Sequence, residues 1–227
     1  MKRFFRERGL ALALVVVVML LVAVLQGSLT YTFHVGELKG QLSGWPMQLA
    51  GLQWVLRAGL LVCMALLWVV TKKRTLFRVI VAANAYFTAV LLVDTAVLAT
   101  VLGGMTVRAV GNLIVDVSAI AVSNILIFSI WYWVIDPPGV VDGEPEDEPW
   151  AFLFPQRASV LPRYECWVPR YADYLFLAFT TSFAFSPTDT LPLTRSAKML
   201  MLLQAIISVV TLTGIAASAI NILSNSS

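Results

Sequence analysis

The sequence predicts an all-α membrane protein with five transmembrane helices and one re-entrant half-helix before the last span. Three observations predict it. First, hydrophobic residues make up 59% of the 227 residues, charged residues only 13%, and the mean hydropathy is +0.83. A soluble domain averages roughly 45–50% apolar and about 25% charged residues. Second, the charges cluster and leave long charge-poor runs, which is the pattern of membrane spans. Third, no alternating strand pattern appears, and without one only helices satisfy backbone polar groups in lipid. Together these exclude a soluble enzyme, a disordered chain and a nucleic-acid module.

The basic leader MKRFFRER precedes the first apolar run, residues 10–26. A run of about 17 residues is at the lower limit for a span. A secretory signal shares the basic head and apolar stretch, but GSLTYTF, which follows, has no A-x-A cleavage site. An uncleaved first helix is expected. The second run, 47–70, is interrupted by Gln53 and Arg57. The third, 79–102, contains Asp94. The fourth, 109–135, contains Asp116 and ends in Trp131-Tyr132-Trp133, aromatics suited to the membrane–water interface. Residues 1–135 are thus expected to form a four-helix transmembrane region.

Composition then changes. Residues 136–170 open with Asp-Pro-Pro-Gly and carry Asp142, Glu144, Glu146, Asp147 and Glu148 within seven residues. Prolines and like charges forbid a span here. The cluster reads as a solvated acidic linker, or as ligands for a cation. Trp150, Phe152, Leu153 and Phe154 are expected to touch the membrane interface. Residues 171–227 hold a short apolar stretch, 171–185, and a last long run, 199–223. At 1.5 Å per residue the short stretch reaches only about 22 Å, less than a hydrocarbon core of about 30 Å. It is expected to enter as a half-helix and leave on the same side, turning near Ser186-Pro187-Thr188. Thr180, Thr181, Ser182, Ser186 and Thr188 supply hydroxyls where irregular backbone needs partners, and Pro187 and Pro192 prevent one continuous helix.

Orientation follows from the basic residues. With five spans, 13 of the 16 Lys and Arg lie on the side of the N-terminus and the 136–170 linker. The positive-inside rule makes that side cytoplasmic and puts the C-terminus outside. The net charge of +3 reads as topogenic. The two cysteines, Cys63 in an apolar run and Cys166 in the linker, do not make a disulfide framework.

No nucleotide-binding, hydrolase or metalloprotease motif is present, so no enzyme activity, cofactor or metal is expected. His34, alone in a short external loop, reads as a surface residue or a pH sensor. Charges inside spans are more informative, because each is costly in hydrocarbon and usually has a partner. By residue offset, Arg57, Asp94 and Asp116 all lie roughly 10–15 Å below the outer boundary. They suit either a cation or proton site or an internal salt bridge that fixes helix packing. Gln53 and Asn112 lie near enough to join either arrangement. Asn84 and Asn124 suit interhelical hydrogen bonds.

The C-terminal stretch, ADYLFLAFTTSFAFSPTDTLPLTRSAKMLMLLQAIISVV, resembles the pore helix, filter and inner helix of two-helix potassium channels. Phe179 and Thr181 match the pore-helix aromatic and threonine. Asp189 matches the Asp after the filter, Pro192 and Thr194 the following Pro and Thr, and Lys198 a basic residue opening the inner helix. Where that family has Thr-Val-Gly-Tyr-Gly, this chain has Ala184-Phe185-Ser186-Pro187-Thr188. Both glycines, whose left-handed backbone aims carbonyls at the ion, are gone. The resemblance therefore implies a pore loop without potassium selectivity, with Asp189 near its exit. The four preceding spans, the polar linker and the D-Y-L-x-L-A-F-T and A-F-S-P-T-D-T-x-P-L-T-R segments also resemble a family of uncharacterised bacterial membrane proteins. That resemblance implies a bacterial inner-membrane protein and supplies no activity. The leading expectation is a channel-like protein that passes or senses small ions. A monomeric small-solute or proton-coupled transporter and a non-conducting accessory protein are the alternatives. Expected partners are the lipid bilayer, small cations and further copies of the chain, with no nucleic acid.

Overall fold

The computed structural model describes residues 13–27, 55, 59, 62, 73–103, 110–136, 150–165, 167–184 and 189–225. The chain is mainly helical. In order, the elements are α1 (Ala13–Gly27), α2 (Lys73–Gly103), α3 (Val110–Ile135), β1 (Phe152–Leu153), α4 (Pro155–Ala158), a 3-10 turn (Pro162–Tyr164), α5 (Tyr171–Ala184), β2 (Leu191–Pro192) and α6 (Arg195–Asn225). Among the described residues, three stretches are long and apolar enough to cross a membrane: Phe77–Thr100 of α2, Ile114–Ile135 of α3 and Arg195–Ala217 of α6. The expected second span lies largely outside the described residues, and α1 is apolar but shorter.

The chain divides into two compact units, residues 1–123 with 210–227, and residues 124–209. In the first, Val15, Met19 and Val22 of α1 and Ile80, Phe87 and Leu91 of α2 are buried. Gln26 donates from Nε2 to the Phe87 carbonyl at 2.9 Å, tying α1 to α2 by a group that lipid could not satisfy. Gly214 of α6 lies so close to α3 that an added Cβ would sit 3.2 Å from the Val117 methyls. Thr88, Thr95 and Ser118 turn their hydroxyls onto the carbonyls of Asn84, Leu91 and Ile114 four residues earlier. That local bond is how hydroxyls are accommodated along apolar helices.

In the second unit, part of the expected linker is described. Its second half is folded. Phe152 and Phe154 are buried in protein rather than laid on the interface. Phe152 packs edge-on to Tyr132 with ring centroids 5.1 Å apart, and Phe154 edge-on to Tyr174 at 5.5 Å. A hydropathy reading sees the acidic and proline residues of this segment and misses that its aromatics can close over a helix end. The last helix also starts earlier than its apolar run. Thr194 caps it, its Oγ1 accepting from the Ala197 N–H at 3.2 Å, so the polar turn Arg195–Lys198 is already helical. At the start of α5, Asp173 reaches back to accept the Arg170 N–H at 2.6 Å, the acidic half of a capping box.

Candidate functional site

The C-terminal hairpin is built from α3, α5, the β1–β2 pair and α6. β1 and β2 are antiparallel, Phe152 opposite Pro192 and Leu153 opposite Leu191, and the Leu193 N–H donates to the Ala151 carbonyl at 2.9 Å. Asp136, just past α3, links this ribbon to the first turn of α5. Its Oδ1 accepts the backbone N–H groups of Ala151 at 2.8 Å and Phe152 at 3.2 Å, and its Oδ2 accepts the Tyr174 hydroxyl at 2.6 Å. Leu191 therefore lies near the end of α5 that carries Tyr174.

Deeper in the unit, Gln204 of α6 joins three helices. Its Nε2 donates to the Ala178 carbonyl and to Ser182 Oγ of α5, each at 2.8 Å. Its Oε1 accepts the hydroxyl of Tyr132 on α3. Asn124 of α3 donates to Ser208 Oγ at 2.9 Å, and Ser129 and Tyr171 share a hydrogen bond of 2.6 Å. Residues 124–130 of α3 are all buried, so this polar seam lies inside the unit. Fourteen residues of α5 span about 21 Å at the helical rise.

The expected site residues divide accordingly. Thr181 and Ser182 are buried against the chain's own helices, Thr181 donating to the Leu177 carbonyl at 2.8 Å. Thr180 donates to the carbonyls of Phe176 and Leu177 at 3.1 and 3.0 Å. Asp189 is exposed. Ser186, Pro187 and Thr188 lie outside the described residues, as does Arg57. Asp94 is half-buried on α2 and Asp116 is buried on α3. Phe176, Phe179 and Phe183 form an exposed stripe on α5, with the Phe179 and Phe183 rings 4.8 Å apart. Among the described residues no three His, Cys, Asp or Glu side chains gather to hold a metal.

Sequence reasoning missed Gln204, Asp136 and Arg157. Gln204 carried a signal, an amide inside an otherwise apolar run. Asp136 and Arg157 carried none, because each reads as an ordinary linker residue until the ribbon folds back. Arg157 donates from Nη1 to the Phe152 carbonyl at 2.7 Å and lies 3.0 Å from Asp136 Oδ2. Compared with known proteins, the chain matches no family model, no curated protein and no solved structure.

Proposed function

We propose that the chain is a multi-pass inner-membrane protein with five spans, in which α5 and its return form a self-sealed re-entrant plug. In this reading the protein is a non-conducting accessory or scaffold component. One observation carries it: the polar face of the half-helix is spent within its own chain. Ser182 and the Ala178 carbonyl bond Gln204, and Thr180 and Thr181 bond their own helix. A pore-lining helix would keep such groups for ions or water. Irregular backbone at membrane depth is tolerated where protein surrounds it, and in this reading α5 itself is held by hydrogen bonds to α6.

The channel-like reading keeps one observation on its side. Asp189 is exposed just beyond a half-helix whose chain returns to its starting end, where a ring of several copies would gather cations. The experiment is flux of potassium, sodium and protons into liposomes holding the full-length protein. The plug reading expects flux at the protein-free level. Flux that Asp189→Lys abolishes would replace it with the channel reading.

A further inference from the structure

We propose that the Nε/Nη2 edge of Arg157 is a seat for one oxyanion of the phosphate class. The Arg157 side chain is only 2% exposed. Among the described residues its hydrogen bonds leave from Nη1, to Asp136 and to the Phe152 carbonyl. Nε and Nη2 are buried and have no hydrogen-bonding partner among the described residues. Those two N–H groups form the parallel fork that guanidinium presents to carboxylate and phosphate, and a buried charged donor left unmet is costly.

The fork is preorganised. The guanidinium carbon lies 4.7 Å from the centroid of the Trp150 ring and 5.7 Å from that of Phe154. Asp136 and the Phe152 carbonyl fix the remaining nitrogen. Little side-chain freedom is left to lose on binding, which favours affinity. Trp150 is half-buried, so the guanidinium lies one ring beneath the surface. The position selects phosphate. Asp136 follows directly on the Ile114–Ile135 stretch, so with α3 across the bilayer Arg157 sits at headgroup level. The seat does not depend on whether the hairpin conducts.

The test uses the full-length protein in an uncharged maltoside detergent. Phosphatidylglycerol and inorganic phosphate are added in separate arms. Native mass spectrometry reads the retained adduct, and thermal unfolding reads the shift in Tm. Wild type should retain one phosphatidylglycerol and gain Tm. Arg157→Lys keeps a cation for Asp136 but has no fork, and its occupancy should fall about tenfold. Trp150→Ala leaves the Asp136 pair intact and removes a ring that holds the guanidinium in place, so it should weaken the adduct even if Arg157→Lys fails to fold. Binding of the lipid but not of inorganic phosphate assigns the seat to a headgroup; the reverse assigns it to free phosphate. Wild type that takes neither, or a folded variant that binds both as wild type does, overturns the proposal.

Discussion

Arg157 Nη1 lies 3.0 Å from Asp136 Oδ2, and both side chains are shut off from solvent. This pair joins the end of α3 to the ribbon, and through the Tyr174 hydroxyl it also holds the first turn of α5. Its energetic role is asymmetric. Two buried charges that face each other cost little net, but one alone is destabilising by about 3–5 kcal/mol. Asp136→Ala should therefore lower stability by about that amount, since it also strips partners from two backbone N–H groups. Arg157→Met alone should destabilise too. Combined with Asp136→Asn it should recover part of the sum. Unfolding in a detergent titration measures all of these, and strictly additive losses would rule out the pairing.

Gln204 should behave as a hub rather than as a single contact. Gln204→Leu removes one acceptor and two donors and leaves Tyr132 and Ser182 facing an apolar group. A loss of about 1–3 kcal/mol is expected. In a double-mutant cycle, Tyr132→Phe should couple to it by about 0.6–1.7 kcal/mol, the range for hydrogen bonds between membrane helices. No coupling, with both single variants stable, would mean that the seam is incidental.

These residues also show what the sequence could reveal. Hydropathy located α3, α5 and α6 to within a few residues, and α2 except for its mostly polar first six residues, because burying a continuous apolar run depends on composition alone. The shortness of α5 followed from the length of its apolar run. The β1–β2 pairing followed from no run. Phe152 and Pro192 meet across 40 positions, and no local pattern encodes which extended pieces pair. Thr180, Thr181 and Ser182 were legible as polar groups in an apolar stretch, and Gln204 as an amide in an apolar run. That Ser182 and Gln204 bond each other was not legible, because hydrogen bonding inside a bundle depends on helix rotation, which a one-dimensional pattern does not fix. Asp94 and Asp116 are legible as costly charges in apolar helices, while their proposed role with Arg57 rests on depth alone.

Gly214 makes a third test. An added Cβ would lie 3.2 Å from both methyls of Val117 and 3.5 Å from a Leu98 methyl. The methyls must move by a few tenths of an ångström to admit alanine, and bulkier side chains demand a backbone shift. Small residues let membrane helices approach this closely. Gly214→Ala should cost little, and Gly214→Leu about 1–3 kcal/mol, in the range of overpacking. Equal stability of wild type and the leucine variant would show that α6 does not approach α3 so tightly there.

The last prediction concerns the path of the hairpin. The Leu193 N–H is bonded to Ala151, so positions 151 and 193 must lie on one side of any membrane that α3 and α6 cross. A full span between Tyr171 and Leu193 would put them on opposite sides. Val160 is 98% exposed and Leu193 is exposed too, so each can carry a cysteine that a label reaches. Both changes are made in a variant free of Cys63 and Cys166. The positive charge bias predicts that the shared side is cytoplasmic. In intact cells, an impermeant maleimide should then leave both positions unlabelled. After permeabilisation both should react. If both react before permeabilisation, the hairpin stands and the orientation is inverted. If only Leu193→Cys reacts, α5 and its extension cross the bilayer, and the re-entrant plug, with the function built on it, is wrong.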